Sequence, residues 1–381
     1  MTSGHGSGSG ASHAPRSAAK DKWGSTTDLP SIAQWLRTKT KVVVVTHVKP
    51  DGDAVGSSIA LTRALNLSGA SAGTAVSLPS RARAWYFGPR PSWIRRVVGD
   101  TPSLSIENAS EIEHEHADAV VIVDTGSWVQ VEMVKPWLAQ HTADTAVIDH
   151  HAQGDPDIAP RRVVDTTSAA AAQIVAELCR ILLNKKSLAD LPREVAEPLY
   201  LGLATDTGWF KHSNVTPAVL RVASELLAAG VDHAALYVNI EQRERLPRLK
   251  LLGRALDSLK LFDENRVAIM SITKADFAST GAQPADSGGF ADHSQTLETV
   301  MVTAVLTEAD AAEFGMQSKP GEKLTKISLR SKSVAGSVDV NAVAKEFGGG
   351  GHVRAAGAKV ALGLDETKTR LLDAIRRHWG T

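Results

Sequence analysis

Acidic and imidazole side chains follow directly after several apolar runs of the sequence. The runs are "VVVV" at 42–45, "VVIV" at 120–123, "AVI" at 146–148 and "LYLGLA" at 199–204. Four carboxylates brought together would raise one another's pKa and oppose folding, so such a set needs positive charge, which two divalent metal ions would supply. The residues after these runs that could bind a cation are His47, Asp51, Asp53, Asp124, His150 and Asp206.

The chemical type of these ligands limits which metal ions could bind and which reaction they could support. Carboxylates and imidazoles without a thiolate suit Mn²⁺, with Mg²⁺, Fe²⁺ or Co²⁺ as alternatives. Two such ions about 3.5–4 Å apart, bridged by a carboxylate, are the usual apparatus for phosphoester hydrolysis, where they acidify water and stabilise charge on phosphoryl oxygens. Taken singly, the motifs "DGD", "DTG" and "HH" could be a surface turn, a helix cap and ordinary surface histidines. Their recurrence at predicted strand ends favours one shared site.

The elements that must position these residues alternate along the chain from Leu29 to Asp232. Apolar strands are predicted at 41–47, 72–78, 117–126 and 143–151, with helices before, between and after them. Strands that are apolar on both faces and separated by helices indicate an α/β domain whose parallel sheet has helices on both sides. Ligands gather beyond the carboxyl ends of the strands in such a sheet, so the candidate residues should meet at one edge.

Four segments are predicted along the chain. Residues 1–28 are rich in Gly, Ser and Ala without periodicity and indicate a disordered tail. Residues 29–232 form the catalytic α/β domain, and the charged residues 233–262 form a connecting helix. Residues 263–378 form a second, smaller α/β domain, in which 279–296 is a polar loop between the elements.

The amino-acid composition argues against several classes of binding partner. Lys+Arg and Asp+Glu balance at 42 each, with a pI of about 7.3, whereas a protein that grips long nucleic acid usually carries a basic excess. The single cysteine excludes a disulfide framework and suits a reducing cytoplasm. The apolar runs are far shorter than the roughly 20 residues of a membrane span, and we expect no membrane association.

A run of four glycines stands near the end of the chain, in "FGGGGHVRAAGA" at 347–358. Such a run costs backbone entropy, and it makes sense where backbone N–H groups must approach phosphate oxygens closely. The alternative is a flexible linker. His352 and Arg354 could add charge-assisted contacts, as could Arg330 and Ser331 at a predicted strand end. Asn341 could bind phosphate or base, or cap the helix that follows it.

Two aromatic groups could stack on a nucleobase. For "WYF" at 85–87, core packing or a dimer contact is the favoured interpretation. For Trp209 and Phe210, which follow Asp206 closely with His212, stacking and packing are equally supported.

The motifs together resemble those of the DHH phosphoesterase superfamily. "THVKPDGDAVGSSIAL", "VIVDTG", "VIDHH" and "ATDTGWF" are similar to its four motifs, in order, and "SLRSK" with "VNAVAKEFGGGGHVRAAGA" resembles its C-terminal DHH-associated domain. The resemblance spans about residues 30–378. It is strongest to the bifunctional oligoribonuclease and 3′-phosphoadenosine 5′-phosphate (pAp) phosphatase group, some members of which also cleave cyclic di-AMP or its linear product pApA.

This resemblance implies a role for each site residue. One metal would be held by His47 and Asp51, the other by Asp53, His150 and Asp206, with Asp124 bridging the two. His151 would meet the substrate, as a donor to a phosphoryl oxygen or to the leaving group, and Asp149 would orient an imidazole. The C-terminal residues implied to close over the substrate, with the active site between the domains, are Arg330, Ser331, Asn341, Gly349, Gly350, Gly351, His352 and Arg354.

The predicted function is Mn²⁺-dependent hydrolysis of pAp, pApA, very short RNA and, further, cyclic di-AMP, by a cytoplasmic homodimer. A processive single-strand exonuclease of the same superfamily would need an additional nucleic-acid-binding domain. An inorganic pyrophosphatase of the superfamily would lack the glycine-rich segment. A nucleotide sensor without turnover is the alternative from another class, and the complete set of metal ligands argues against it.

Overall fold

The computed structural model describes residues 22–69, 80–91, 93–309, 323–334 and 336–379. It divides into two compact units, Met1–Gln242 and Arg243–Thr381. In the described ranges, no helix is long and apolar enough to cross a membrane.

The first unit is built on a six-stranded sheet with the order β3-β2-β1-β4-β5-β6, in which every neighbouring pair is parallel. Its strands are β1 (Val42–Val45), β2 (Ala82–Phe87), β3 (Ser103–Ile106), β4 (Ala119–Val123), β5 (Thr145–Asp149) and β6 (Arg161–Val164). Its α-helices are α1 (Leu29–Arg37), α2 (Gly52–Gly69), α3 (Ile94–Val98), α4 (Lys135–Gln140), α5 (Ala171–Leu182), α6 (Arg193–Asp206), α7 (Pro217–Ala228) and α8 (His233–Glu241). Short 3-10 helices span Ala109–Ile112, Trp128–Val134, Thr142–Asp144 and Leu188–Asp190.

Both faces of this sheet are covered, which explains why its strands lack polar alternation. In β1, Val42 and Val44 pack into one hydrophobic core with α1, α2, α5 and α6, whereas Val43 and Val45 pack into another. All four are buried. Successive side chains of a strand point to opposite faces, so an uninterrupted valine run is what a doubly covered strand requires. The predicted α/β fold with a parallel sheet and helices on both sides is confirmed.

Helices α2 and α6 cross at a glycine contact. A Cβ at Gly56 would overlap the Pro198 carbonyl oxygen and lie 2.9 Å from the Gly202 nitrogen. A Cβ at Gly202 would in turn lie 2.8 Å from an oxygen of Asp53. Only glycine at these positions lets the two backbones come this close, and the approach brings the first turn of α2 beside α6.

The second unit carries a mixed six-stranded sheet with the order β11-β12-β10-β9-β8-β7, in which β8 and β9 are parallel and the other pairs antiparallel. Its strands are β7 (Lys260–Phe262), β8 (Val267–Ile272), β9 (Val302–Ala309), β10 (Leu324–Ser331), β11 (Gly350–His352) and β12 (Ala355–Val360). Its described α-helices are α9 (Leu246–Asp257), α10 (Lys274–Thr280), α11 (Phe290–Ser294), α12 (Val340–Lys345) and α13 (Leu364–Arg377), and a 3-10 helix spans Pro284–Ser287. The predicted second α/β domain is confirmed, but the segment predicted as a polar loop contains α11, which is anchored by the fully buried Phe290.

Some elements were not expected from the sequence. Strands β2, β3 and β6 were not predicted, and the strand predicted at 72–78 lies outside the described residues. The sequence of β6, "RRVV", begins with two arginines and so lacks an apolar run. Arg162 is nevertheless buried there, because its guanidinium donates to the carbonyl oxygens of Pro156 and Ala159.

Residues 22–28, the N-terminal segment, were predicted as part of the disordered tail, but they pair with the edge strand β6. Thr26 N–H donates to the Arg162 carbonyl at 2.8 Å, and Arg162 N–H donates back to the Thr26 hydroxyl at 2.8 Å. Ser25 exchanges two further hydrogen bonds with Val164. The segment thus satisfies backbone groups that an open sheet edge would leave unpaired. Residues 1–21 lie outside the described residues.

Candidate metal centre

Three parallel strands and two helices deliver the predicted ligands to one place. His47 and Asp51 follow β1, Asp124 follows β4, and His150 follows β5. Two more carboxylates come from helices: Asp53 lies in the first turn of α2, and Asp206 is the last residue of α6. The structure brings all six predicted ligands together. Ligand atoms within 4.8 Å of one another form the groups His47–Asp51–Asp124 and Asp53–His150–Asp206, and a third group joins Asp124, His150 and His151.

Asp124 stands at the centre of this arrangement. One of its oxygens, Oδ2, lies 3.4 Å from His47 Nε2, and the other, Oδ1, lies 3.4 Å from His150 Nε2. Its backbone has φ 63°, in the left-handed region that aspartate tolerates better than most residues. The side chain is buried, and Oδ1 has no hydrogen-bond partner within standard geometry. A buried carboxylate that faces one imidazole on each side has the form of a bridging metal ligand.

The remaining carboxylates flank the two imidazoles. On one side, Asp51 Oδ1 lies 3.8 Å from His47 Nε2. On the other, Asp206 Oδ2 lies 3.5 Å and Asp53 Oδ2 lies 3.9 Å from His150 Nε2. The carboxylates therefore form two sets, with Asp51 near His47 and with Asp53 and Asp206 near His150.

Backbone carbonyls orient both imidazoles toward the carboxylates. His47 Nδ1 lies 2.9 Å from the Val48 carbonyl oxygen, and His150 Nδ1 lies 3.4 Å from that of Ser168. Because a carbonyl oxygen only accepts, Nδ1 must carry the proton in each ring, which leaves Nε2 as the ligand atom. This is the orientation that a divalent cation would need.

Without a metal ion, protons on the two imidazoles balance part of the negative charge of the carboxylates. Burial opposes protonation of His47, but Asp124 and Asp51 outweigh it and raise its pKa to about 11. Burial likewise opposes protonation of His150, while Asp124 and the other acids raise its pKa to about 9. Both imidazoles are therefore charged at neutral pH until a metal ion displaces their Nε2 protons.

The pKa values of the buried carboxylates shift in different directions. Burial raises the pKa of Asp53 well above its usual value, and the charges of Asp124 and Asp206 add to this. Burial also raises the pKa of Asp206 to about 6, again with a contribution from Asp124. For Asp124, the neighbouring His150 and His47 imidazoles outweigh burial, and its pKa is lowered. Protein groups alone thus leave Asp53 and Asp206 short of positive charge, which fits a divalent cation beside them.

Asp53 is also held by the start of α5. Its Oδ2 accepts from Ala171 N–H at 2.6 Å, and its Oδ1 accepts from Ala172 N–H at 2.8 Å. The first N–H groups of a helix have no partner within it and favour an anion. The alanine-rich start of α5 gave no sign of this role in the sequence, because backbone donors carry no residue signature.

His151 lies at the rim of the cluster, with its side chain 54% exposed. Its Nδ1 is 2.7 Å from Asp149 Oδ1, and the hydrogen bond to this carboxylate raises the imidazole pKa. Asp149 itself is fully buried and also accepts from the backbone N–H groups of His150 and His151. Asp149 therefore orients the His151 imidazole and the backbone that carries it.

The comparisons with known proteins agree with this geometry. The model of the DHH family N-terminal domain matches residues 41–203, and that of the DHHA1 domain matches residues 264–379. A Thermus thermophilus protein named bifunctional oligoribonuclease and PAP phosphatase NrnA is 31% identical over 340 residues, which cover 88% of this chain and 89% of that protein. The chain belongs to the DHH family. The prediction of a phosphoesterase, a hydrolase that acts on ester bonds, is confirmed.

Two further similarities extend across both units of this DHH protein. A cyclic-di-AMP phosphodiesterase, PdeA, of Listeria monocytogenes is 23% identical over 92% of this chain, which corresponds to 49% of that protein. The crystal structure of an exopolyphosphatase-related protein from Bacteroides fragilis superposes with a TM-score of 0.78 at 25% identity, covering 92% of this chain and 95% of that one.

The residues predicted to bind substrate in the second unit gather at one end of its sheet. Arg330 of β10 and His352 of β11 both pair with Ala355 of β12, so they lie in one row across three strands. Ser331 and Arg354 adjoin this row, since Ser331 N–H donates to the Arg354 carbonyl at 3.0 Å. The glycines Gly349, Gly350 and Gly351 lead into or form β11, and Asn341 lies near them, in α12.

The structure rules out two of the alternatives that the sequence left open for these residues. The cap of α12 is Asp339, whose carboxylate accepts from the N–H groups of Asn341 and Ala342, so the alternative that Asn341 is the cap is wrong. The glycine run is not a linker, because Gly350 and Gly351 belong to a paired strand.

The aromatic candidates in the first unit pack within the protein. Residues 85–87 are buried in β2, as the packing interpretation predicted. The Trp209 ring meets Tyr237 edge-on with centroids 4.8 Å apart, and its Nε1 donates to Glu241 at 3.0 Å. Phe210 lies 5.8 Å from Tyr200. These contacts favour packing over base stacking for both residues.

Proposed function

We propose that this DHH protein is a Mn²⁺-dependent phosphoesterase that releases mononucleotides from pAp, pApA and very short RNA, and that also opens cyclic di-AMP. The observation that carries the proposal is the placement of Asp124, whose two oxygens each face an imidazole, with further carboxylates beyond each ring. This donor set fits two divalent ions, with His47 and Asp51 at one, Asp53, His150 and Asp206 at the other, and Asp124 shared. When bound, such ions would supply acidity to water and positive charge to the phosphoryl oxygens.

The remaining chemistry belongs to His151 and Asp149. Attack of water forms a new P–O bond while the bond from phosphorus to the departing ribose oxygen breaks. The departing oxygen needs a proton, which His151 supplies from its exposed edge. Asp149 holds the His151 imidazole through Nδ1 and raises its pKa, so Asp149 both orients the donor and stabilises its protonated form.

The second unit would contribute substrate contacts. The donors at one end of its sheet come from Arg330, Ser331, Asn341, His352 and Arg354. Among the described residues, the atom within 4 Å of a Cβ built at Gly350 is Asn341 Oδ1, at 3.8 Å, so the Gly350 backbone is open to a ligand. Donors of this kind suit the phosphate and base of a nucleotide. The neutral charge balance of the chain favours short substrates over long nucleic acid.

Product identification tests the proposal. The purified protein would be incubated with Mn²⁺ and separately with pAp, pApA, cyclic di-AMP and a long single-stranded RNA, with a chelator-treated sample and Asp53→Asn as inactive controls. AMP from pAp and pApA with the long RNA intact is the expected result. Rapid shortening of the long RNA would instead identify an exonuclease, and metal binding without turnover of any substrate would identify a nucleotide sensor. The homodimer stays a prediction, which analytical ultracentrifugation would test.

A further inference from the structure

An indole from the N-terminal segment lies against the backbone of two metal-ligand loops. Trp23 Nε1 donates to the His151 carbonyl oxygen at 2.9 Å. Its ring occupies the space that a side chain would need at Gly126 and Gly154, because a Cβ at either position would overlap it. Gly126 is two residues after Asp124, and Gly154 is three residues after His151, so one ring touches both loops.

The N-terminal segment holds this indole firmly. Its pairing with β6 fixes the backbone on the carboxyl-terminal side of Trp23. Arg162 donates from Nε to the Gly24 carbonyl at 3.1 Å, and its guanidinium lies 6.0 Å from the Trp23 ring centroid, at the outer range of a cation–π contact. Since Arg162 is itself buried and bonded to carbonyl oxygens, the indole rests on a rigid support.

Trp23 and Asp149 thus constrain His151 from two sides. Asp149 fixes the imidazole through Nδ1, and the Trp23 bond fixes the main-chain carbonyl of the same residue. The two loops are also joined directly, since Asp155 N–H donates to the Gly126 carbonyl at 2.7 Å. That bond joins the loops at Asp155, four residues beyond His151. Among the described hydrogen bonds, the one that ends on the His151 carbonyl oxygen comes from the Trp23 indole.

We infer that Trp23 is a positioning residue for the reaction, which acts by holding the His151 backbone so that the imidazole meets the departing oxygen. This inference rests on the proposed function, in which His151 assists that oxygen. A catalytic group displaced by a fraction of an ångström loses rate although the substrate still binds. A Trp23 that only filled space would instead be replaceable by another aromatic ring.

Trp23→Phe separates the two roles, because it keeps a ring against Gly126 and Gly154 but removes the Nε1 donor. Trp128→Phe is the matched control. It also removes an indole hydrogen bond at the edge of the same core, but that bond ends on the Asp157 carboxylate at 3.2 Å rather than on His151. Full-length wild type and both variants would be loaded with Mn²⁺ and assayed on pApA and on bis(p-nitrophenyl) phosphate, whose leaving group needs little help from a proton donor. Tm would be measured for each.

We expect Trp23→Phe to lower kcat on pApA about two- to tenfold, the fold-change that corresponds to one neutral hydrogen bond, with unchanged KM and with a fall in Tm no larger than that of Trp128→Phe. On the aryl ester its kcat should match wild type, and Trp128→Phe should match wild type on both substrates. Wild-type kcat for Trp23→Phe on pApA, an equal loss on both esters, or an equal loss in Trp128→Phe would overturn the inference alone. Absence of turnover by the wild type on both substrates would overturn the proposed function and the inference with it.

Discussion

At the carboxyl ends of β1, β4 and β5 carboxylates cluster and several of them are buried, whereas at the end of the second sheet the basic side chains are partly or fully open to solvent. Asp53 and Asp124 are at most 3% exposed, while the Arg330 side chain is 35% exposed and His352 is exposed. Buried carboxylates cost folding energy unless cations pair with them, so the first region is arranged for metal ions. Exposed donors keep their hydration until a ligand arrives, which suits the substrate-binding role proposed for the second region. Substitutions in the first region should therefore lower kcat, and substitutions in the second region should raise KM.

The strongest test of this division is Asp124→Asn. The amide keeps the shape of the side chain but removes the charge shared by His47 and His150, and activity on pAp should fall to background with no measurable metal uptake. The measurement is initial rate together with metal content by atomic emission. Asp118→Asn is the matched control, because Asp118 flanks the opposite end of the same strand, where it accepts from the N–H groups of Thr40 and Lys41. Full activity in Asp124→Asn would mean that the cluster is not the reaction centre.

Metal binding should stabilise the first unit and leave the second unchanged. At a concentration about 100 times its Kd, Mn²⁺ should add about 2.7 kcal/mol to the free energy of unfolding. Intrinsic fluorescence would follow this unit, since every tryptophan but Trp379 precedes the boundary at Gln242. The protons on His47 and His150 must leave when metal binds, because their pKa values without metal are about 11 and about 9.

The sign of the pH effect follows from those values. Protonated His47 stabilises the metal-free protein below the unfolded pKa of about 6.5, and this contribution is lost as pH rises through its folded value of about 11. Metal competes with these protons, so the gain in Tm from Mn²⁺ should be larger near pH 8 than near pH 6. A gain that is the same at both values, or that also appears in Asp124→Asn, would contradict the assignment.

The comparison also separates what sequence could predict from what it could not. The ligands of the first region were predicted because each follows an apolar run, and the parallel sheet turns that repeated position into proximity. The left-handed backbone of Asp124, the N–H groups of α5 that bind Asp53, and the contact of the Trp23 indole with the His151 carbonyl were not predicted, because backbone direction, backbone donors and backbone acceptors leave no trace in residue type. Strand β6 was missed for a related reason: Arg162 is buried by bonds to carbonyl oxygens, which a hydropathy pattern cannot show.

In the second region, Arg330→Gln should raise KM for pAp about 10- to 100-fold, the range for a lost charge-assisted hydrogen bond, while kcat changes little. Arg330 Nε lies 3.4 Å from Asp292, but the side chain is 35% exposed and can turn toward a ligand. Arg370→Gln is the matched control in the same unit, since Arg370 is an exposed arginine on α13 paired with Glu366 at 2.6 Å. A loss confined to kcat in Arg330→Gln would break the division between chemistry and binding.

The smallest expected effect comes from a pair of adjacent glycines and tests whether a ligand approaches the backbone there. A Cβ at Gly349 would overlap the Gly357 carbonyl oxygen of β12, so Gly349→Ala should lower stability by about 1–3 kcal/mol whatever the substrate does. At Gly350 the nearest atom to a Cβ is Asn341 Oδ1 at 3.8 Å, so Gly350→Ala should leave Tm within about 2 °C of wild type. If phosphate oxygens meet the Gly350 backbone, the added methyl group should still raise KM severalfold, because it occupies space that only the ligand uses. A Gly350→Ala protein with wild-type KM would place the ligand elsewhere on the second unit and reduce the glycine run to the close strand packing that Gly349 and Gly351 already require.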